Sequence, residues 1–247
     1  MSKLNVLSVD FDYFQKVDRD TLGYYPDGHD FGTEMSKFIW AGHYANPIES
    51  KEILKVEVDT DKIDFIKRVI SDVYDIGTRT MICNSHRYAY DFINMVYEEE
   101  GFDEGVDIYN VDMHHDLFNN NPKVDCGNWI SHVLDDIPNS TVTWIANPIS
   151  KEAYGMDSDR FYMVSENLED IEYIDFDAIF LCRSDIWTPP HLDSYFKDLS
   201  YYIIELNKDM GNGQLFLEEK VLEERNCTEE INQLKKAYKD LCKKEVH

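Results

Sequence analysis

Apolar runs of strand length alternate with stretches of helical periodicity, and this alternation limits the fold more than any other feature of the chain. The runs are Leu4–Val9, Thr80–Cys83, Ile108–Val111, Thr141–Ala146 and Ala178–Cys182, and Tyr201–Leu206 is predicted as a sixth. Between them, apolar residues recur at helical spacing within 63–74, 88–97 and 130–134. Strands that alternate with helices build a mostly parallel sheet with helices on both faces. The sequence therefore predicts a single three-layer α/β/α domain over residues 1–247.

Two segments depart from this rhythm. Residues 15–60 are rich in turn-forming residues, and we predict an irregular insertion there that walls a pocket. Residues 228–244 space their apolar side chains along one stripe, which predicts an amphipathic C-terminal helix with a solvated outer face.

The charge balance narrows the class of partner. The chain has 24 Lys and Arg against 49 Asp and Glu, a formal net charge of −25. Phosphate binding needs a basic surface, so DNA and RNA are not expected partners. An acidic field attracts a cationic substrate, although acidity that serves only solubility is the commoner case.

The cysteines and the hydropathy bear on the compartment. Five scattered cysteines, odd in number and without a CxxC spacing, fit reduced thiols better than a disulfide framework. The N-terminus enters a strand pattern directly, without a signal-peptide pattern, and no apolar stretch reaches the length of a membrane span. We expect a cytoplasmic protein that does not bind membranes.

The strongest chemical signal is the segment VDMHHD at 111–116, which follows the predicted strand at 108–111. Alternate side chains of an extended backbone point to the same face, so Asp112, His114 and Asp116 can converge on one point. Carboxylate and imidazole donors together suit Mn, Fe or Zn. The alternative is a solvated turn in which the two histidines occur by chance. That alternative does not explain why three ligand-type side chains alternate, so we predict a metal site.

Two other strand ends carry ligand-type side chains. The first apolar run ends in Asp10 and Asp12, within LSVDFDYF. Two carboxylates so close repel each other in a site without water, and a cation between them offsets this repulsion. The aromatic residues around them make a solvated strand end the weaker interpretation. His86, at the end of ICNSH, is a candidate ligand, although a lone histidine there is more often a cap or core residue.

Two later segments carry further candidates. In DCGNWISH, Asp125 or Asn128 can cap a helix that carries His132, a candidate proton carrier, although a surface or core histidine is the commoner case. In LCRSD, Asp185 can hold a cationic group of a substrate, or it can pair with Arg183.

With these segments assembled, the chain resembles the arginase/agmatinase (ureohydrolase) superfamily. It is most similar to the small arginase-like family that includes the peptide arginases of ribosomal-peptide natural-product pathways. VDMHHD matches the superfamily's Asp-x-His-x-Asp and LSVDFDYF its Asp-x-Asp, while DCGNWISH and ICNSH add support. The Asp-x-Asp of arginases lies late in the chain, whereas here it comes first, so the resemblance implies an arginase-like fold with a rearranged strand order. The late strand reads LCRSD, where Asp185 is an alternative ligand.

Carried over residue by residue, the resemblance implies a site with two Mn²⁺ ions per chain that share a hydroxide. Its six metal ligands are Asp10, Asp12, His86, Asp112, His114 and Asp116. It makes Asp116 and His132 the expected catalytic residues, and Asp185 and Asn128 the candidates for substrate binding. His132 is offset from the family's proton-transfer histidine, to which Ile130 lies closer.

The activity implied by the resemblance is hydrolysis of the arginine guanidinium to ornithine and urea. The chain is shorter than typical arginases, and no counterpart of their amino-acid-recognition loop is found. The expected partner is therefore an arginine-containing peptide, a ribosomal precursor that the enzyme modifies post-translationally. Free arginine and agmatine are expected to react less readily.

A haloacid-dehalogenase-type phosphatase is the first alternative. In such an enzyme Asp10 is the covalent nucleophile and Asp12 the general acid. Ser85 can imitate the second motif of that family, and Asp175 with Asp177 the last, acidic one. This function leaves DMHHD without a role and lacks a convincing phosphate-binding lysine. The bound metal distinguishes the two functions, because the phosphatase would hold one Mg²⁺ weakly and the ureohydrolase would hold two Mn²⁺.

A non-catalytic acidic domain that keeps a metal site for stability is the second alternative. The chain contains 16 tyrosines, which suit a binding surface but serve equally in cores. In such a protein, Asp112→Ala would destabilise the fold, and there would be no catalytic turnover for it to change.

Overall fold

The computed structural model describes residues 2–26, 31–118, 121–154, 159–211 and 213–244, with side chains described as far as residue 237. Its strands are β1 (Leu4–Asp10), β2 (Gln15–Lys16), β3 (Glu57–Val58), β4 (Arg79–Cys83), β5 (Val106–Asp112), β6 (Thr141–Ala146), β7 (Met163–Ser165), β8 (Ala178–Cys182) and β9 (Leu215–Leu217). Seven of them form a parallel sheet in the order β7-β6-β5-β1-β8-β4-β9. The other two, β2 and β3, pair antiparallel beside it.

The α-helices that accompany these strands alternate with them along the chain. They are α1 (Arg19–Leu22), α2 (Thr33–Ala45), α3 (Pro47–Ile53), α4 (Thr60–Val73), α5 (Tyr88–Glu99), α6 (Trp129–Asp136), α7 (Ser150–Tyr154), α8 (Asp193–Asp209) and α9 (Thr228–Lys244). Among the described residues, no helix combines the length and the apolar character that a membrane crossing requires.

Helices cover both faces of the sheet, which confirms the predicted three-layer α/β/α fold. On β1, Leu7 and Val9 belong to an apolar cluster that includes residues of α2, α4 and α8. The alternate residues Leu4 and Val6 belong to a second cluster, with residues of α5 and α6. Alternation along a buried strand thus supplies both cores, as parallel sheets require.

Five predicted strands are found, and two of them have the predicted bounds. The sixth, Tyr201–Leu206, is wrong because it lies inside α8. There Phe196, Leu199 and Ile203 recur at intervals of three and four and are all buried, so one face of a helix packs on the core. The edge strands β7 and β9 were not predicted, since each has only three residues and none is fully buried.

The segment 15–60 is more regular than predicted, because α1, α2, α3, β2 and β3 lie within it. No described residue of this segment lines the cavity beside Asp10 and His114, but Phe31 and Gly32 line a separate pocket with Asn84. The indole of Trp40, on α2, donates a hydrogen bond to the carbonyl of Asp185. Residues 27–30, part of the predicted turns, lie outside the described residues. The predicted C-terminal helix is confirmed as α9, with Ile231 and Leu234 packed on the core.

The position of β1 decides where the chemistry lies. It pairs with β5 on one side and with β8 on the other, and β4 follows β8. All four strands are parallel, so their carboxyl ends meet at one edge of the sheet. Parallel sheets carry their sites at this edge.

Candidate metal centre

The carboxyl edge of the sheet brings all six predicted ligands together. Asp10 ends β1 and Asp112 ends β5. A short 3₁₀ turn carries Asp12, the loop after β5 carries His114 and Asp116, and the turn after β4 carries His86. Each of the six side chains is buried.

One half of the cluster surrounds His86. Its Nδ1 atom lies 3.2 Å from Oδ2 of Asp10, 3.2 Å from Oδ2 of Asp112 and 3.1 Å from Oδ2 of Asp116. The other half surrounds His114, whose Nδ1 atom lies 2.9 Å from Oδ2 of Asp12 and 3.7 Å from Oδ1 of Asp112.

Asp112 therefore contributes one oxygen to each half. Within His86, Asp112 and Asp116, and again within Asp12, Asp112 and His114, the donor atoms lie within 4.8 Å of one another. Each group has the composition and the spacing to hold a metal ion, because carboxylate and imidazole are common ligands of divalent transition metals.

The orientation of both histidines fits metal binding. The Nε2 atom of His86 shares a hydrogen bond of 2.6 Å with Oγ of Ser8, and that of His114 one of 3.0 Å with the hydroxyl of Tyr154. Each Nδ1 atom is thereby left facing the carboxylates, the arrangement that metal-binding histidines adopt. The Nδ1 atom of His86 and Oδ2 of Asp12 are buried without a hydrogen-bond partner, as expected of atoms that aim at a common cation.

Burial and mutual repulsion perturb the titration of the carboxylates. Burial, followed by the charge of Asp10, raises the pKa of Asp12 well above its usual range. Burial and the neighbouring Asp112 raise the pKa of Asp116 to about 7. Burial also acts to raise the pKa of Asp112, but the neighbouring imidazoles of His114 and His86 outweigh it and hold that pKa below its usual range.

The pKa values of the two histidines shift upward, whereas burial alone lowers the pKa of an imidazole. Burial alone lowers the pKa of His86 and of His114, but the surrounding carboxylates outweigh burial and raise both. The metal-free cluster therefore keeps protons near neutral pH, and a divalent ion that binds there displaces them.

The loop after β5 is held in an unusual backbone conformation. Asp116 has a φ of +50°, and Ser184, in the loop after β8, has a φ of +55°. Both residues line the same cavity, and strained residues of this kind concentrate at functional sites. The indole of Trp129 donates a hydrogen bond of 2.6 Å to Oδ2 of Asp116 and fixes that carboxylate.

A cavity of about 240 Å³ opens onto the cluster. Asp10, His114 and Asp116 line it from the cluster, and Asp125 adds a further acid. Its apolar lining comes chiefly from Phe118 and Trp187, whose ring lies 4.5 Å from that of His114. No lysine or arginine is among the described lining residues. The described lining therefore combines carboxylates with apolar rings.

Asn128 lines this cavity, but its amide is already engaged. Its Oδ1 atom accepts a hydrogen bond from the backbone N–H of Asp125, and its Nδ2 atom donates to the carbonyls of Asn121 and Lys123. Asn128 is the N-cap residue of α6 without a capping side-chain hydrogen bond. Its role is to hold the cavity wall at 121–128, and the structure gives no support to the predicted contact of its amide with substrate.

Asp185 does not reach the cavity. Its carboxylate accepts two hydrogen bonds from the guanidinium of Arg183 and lies 3.8 Å from Nη1 of Arg225, and all three side chains are buried. The acid that the sequence offered as a substrate-binding residue or as an alternative ligand is thus part of an internal ion pair. Asp10 and Asp12 occupy the cluster instead.

His132 also lies apart from the cluster. It belongs to α6 and its ring contacts that of Tyr90 on α5, with the ring centres 5.9 Å apart. It is not among the described residues that line the cavity, so the expected role in proton transfer has no support in the geometry. The helical turn carries this side chain to the neighbouring helix, whereas Trp129 on the same helix faces Asp116.

Several residues around the cluster escaped the sequence analysis. Ser8 has a usable signal, because it lies two residues before Asp10 on a strand and so shares its face. Tyr154 has none, since it reaches His114 from a separate short helix. Cys182 ends β8 within reach of Asp10 and His86.

Comparisons with known proteins add no family to this description. A scan against protein-family models found no match, and searches of curated proteins and of solved structures found none.

Proposed function

We propose that the protein is a manganese-dependent hydrolase that cleaves the guanidinium group of arginine side chains in a peptide, giving ornithine and urea. The observation that carries this proposal is the shared carboxylate of Asp112, which joins two groups of donors at the end of an acidic cavity. The sequence resemblance to the ureohydrolases points to the same activity.

The donor set suits two Mn²⁺ ions. The group around His86 and the group around His114 each offer imidazole nitrogen and carboxylate oxygen. Two divalent ions held by these residues would lower the pKa of a bound water molecule and would so supply a nucleophile near neutral pH. The chain's own part is to fix these donors, through Ser8, Tyr154 and Trp129, before substrate arrives.

The cavity supports an arginine side chain as the group that enters. At about 240 Å³ it is smaller than the cavities of about 300–1,000 Å³ that enclose whole small ligands. The acid Asp125 attracts a guanidinium, and Phe118 and Trp187 offer apolar faces to its methylene stem. The backbone of the peptide then remains outside the cavity. A ribosomal precursor peptide in the cytoplasm is the proposed substrate.

The phosphatase alternative finds less support. The acid Asp177 precedes β8, so it lies at the opposite edge of the sheet from Asp10, and its carboxylate accepts a hydrogen bond from the backbone of Asn5. The described lining of the cavity has no lysine or arginine that would hold a phosphate.

The first experiment measures metal content and urea release together. Protein expressed with added manganese and then desalted should retain about two Mn²⁺ per chain and release urea from an arginine-containing peptide. Asp112→Asn should lose both properties because it removes the shared ligand. Asp198→Asn, an exposed site on α8, is the matched control and should keep them.

The alternatives predict different results in the same experiment. A metal-stabilised binding domain gives Mn²⁺ retention with no urea from any arginine peptide, agmatine or free arginine. A phosphatase gives Mg²⁺-dependent phosphate release that Asp10→Asn abolishes. Either result overturns the proposed activity.

A further inference from the structure

Cys182 lies against the metal centre, although neither the proposed reaction nor the predicted ligand set uses it. It is the last residue of β8, and its Cα pairs with Asp10 on one side and with Cys83 on the other. Its sulfur, a carboxylate oxygen of Asp10 and a ring nitrogen of His86 all lie within 4.8 Å of one another. The His86 ring stacks on Phe180, two residues before Cys182, with the ring centres 5.4 Å apart. Cys182 and Phe180 therefore share the face of β8 that is turned to His86.

The hydrogen bonding of Cys182 differs from that of the other buried cysteines. Cys83 donates to the carbonyl of Ser85 at 3.3 Å, and Cys227 to that of Lys37 at 3.5 Å. No hydrogen bond of the Cys182 sulfur is found within the described residues, and the Nδ1 atom of His86 is buried without a hydrogen-bond partner. The sulfur of Cys182, a ring nitrogen of His86 and a carboxylate oxygen of Asp10 lie close enough together to share one ion.

We propose that Cys182 is a further metal ligand, which binds as a thiolate to the ion held by Asp10 and His86. This rests on the metal centre of the proposed function and not on the identity of the substrate. The thiol releases its proton to water as the ion binds, as thiolate ligands do.

The thiolate makes the two metal positions unequal. Among the described residues, the donors at the position beside His114 are carboxylate and imidazole groups, from Asp12, Asp112 and His114 itself. The position beside His86 gains a soft sulfur donor, and sulfur favours Zn²⁺ and Co²⁺ over Mn²⁺. With manganese alone in excess, both positions fill with Mn²⁺. With Zn²⁺ or Co²⁺ present, the position beside His86 takes the softer ion first.

Cobalt binding to the full chain tests this inference. A thiolate ligand gives Co²⁺ an intense charge-transfer band in the near ultraviolet, and oxygen and nitrogen ligands do not. The wild-type chain should develop this band with the first equivalent of Co²⁺, and Cys182→Ser should bind Co²⁺ without it. Cys83→Ser is the matched control, since Cys83 is buried at the same register on the neighbouring strand, and it should keep the band.

Competition between metals gives a second readout. Cys182→Ser should lower the preference for Zn²⁺ over Mn²⁺ at the position beside His86 by about tenfold or more. Cys83→Ser should leave that ratio unchanged. Far-ultraviolet circular dichroism confirms that the variants compared are folded, and Cys182→Ala replaces Cys182→Ser if the latter is not.

Each contrary result overturns the inference in a recognisable way. Cobalt bound without the band, or with a band that Cys182→Ser retains or Cys83→Ser loses, excludes Cys182 as the ligand. If the manganese-loaded wild type still releases urea from arginine peptides, the proposed function survives that failure. If the wild-type chain retains no cobalt, the inference falls together with the metal centre.

Discussion

Two hydroxyl groups decide which nitrogen each histidine offers to the centre. Ser8 binds Nε2 of His86, and Tyr154 binds Nε2 of His114, so both Nδ1 atoms face the carboxylates. An imidazole without this support rotates and changes tautomer more freely, and its affinity for a metal falls. The hydroxyls are as much a part of the centre as the ligands.

Removal of either hydroxyl should weaken metal binding while the fold persists. We expect Ser8→Ala and Tyr154→Phe each to lower the affinity for Mn²⁺ by about 10–100-fold. Chelator competition measures the affinity, and Tyr195→Phe, on the exposed surface of α8, is the control. Unchanged affinity in both variants would mean that the histidines are oriented by something else.

The sequence predicts the ligands better than it predicts their surroundings. Asp112, His114 and Asp116 lie together as their spacing predicts, but β5 ends at Asp112 and Asp116 has a φ of +50°, so the loop after the strand and not strand alternation brings them together. For Asp185, the alternative that it pairs with Arg183 is confirmed, and the alternative that it binds substrate is not. The second partner, Arg225, lies forty residues away and is not visible in LCRSD. His132 fails for a related reason, because helical phase and not proximity in sequence decides which side chain faces the cavity.

At the scale of elements, a buried group of charges joins the loop after β8 to the start of α8 and the segment before α9. The guanidinium of Arg225 donates to both carboxylate oxygens of Asp193 and to the carbonyls of Asp185 and Thr188. Arg183 completes the group from β8's end and pairs with Asp185. This group holds the loop that carries Ser184 and Trp187, both of which line the cavity.

Loss of one partner from this group should be costly. Arg225→Ala should lower the free energy of unfolding by about 3–5 kcal/mol, because it leaves buried carboxylates without their partner. Arg68→Ala removes an exposed pair with Glu172 and should cost no more than about 1 kcal/mol. Urea denaturation measures both. A similar small cost for the two variants would show that water replaces Arg225.

The same group should respond to acid in a defined direction. Burial acts to raise the pKa of Asp185, but Arg225 and Arg183 outweigh it and lower that pKa. A carboxylate with a lowered folded-state pKa stabilises the fold above its unfolded pKa of about 3.9, and this contribution is lost as the pH falls through the folded-state pKa.

Asp185→Asn therefore should differ most from the wild type at neutral pH. The difference in free energy of unfolding between the two should shrink as the pH falls below about 4, where Asp185 of the unfolded chain begins to be protonated, and should vanish below the lower folded-state pKa. Denaturation curves at several pH values measure it. A difference that stays constant, or that grows in acid, would contradict the assignment of the charge to Asp185.

The strands of the core can be predicted from the sequence where nearly all of their residues are buried. The strands β6 and β8 are found with their predicted bounds, because continuous apolar runs bounded by polar residues leave little choice. Tyr201–Leu206 fails because a short apolar run inside a longer amphipathic helix resembles a strand when taken alone. The short edge strands β7 and β9 depend on neighbours that a single sequence does not specify.

At the scale of the whole molecule, metal and fold should be coupled. Four buried carboxylates in one cluster repel one another unless cations or protons lie between them. Metal that binds only the folded chain adds stability by mass action, about 2.7 kcal/mol at one hundred times the dissociation constant.

Thermal unfolding with and without manganese tests this coupling. A chelator should lower the melting temperature of the wild type, and added Mn²⁺ should restore it. Asp112→Asn should melt at the same temperature under both conditions, since it lacks the shared ligand. A wild-type chain indifferent to chelator would show that the cluster is held by protons alone.

The place of β1 has a consequence for synthesis on the ribosome. Val6 emerges first, yet it pairs with Ile108 and with Ala178, which are translated much later. At about 5–20 residues per second, roughly ten to thirty seconds pass before the second of these partners exists. During that interval an apolar strand waits without its neighbours, exposed to chaperones and to other nascent chains. The cluster of candidate metal ligands is thus assembled late in the life of each molecule, only after the last neighbour of β1 has been made.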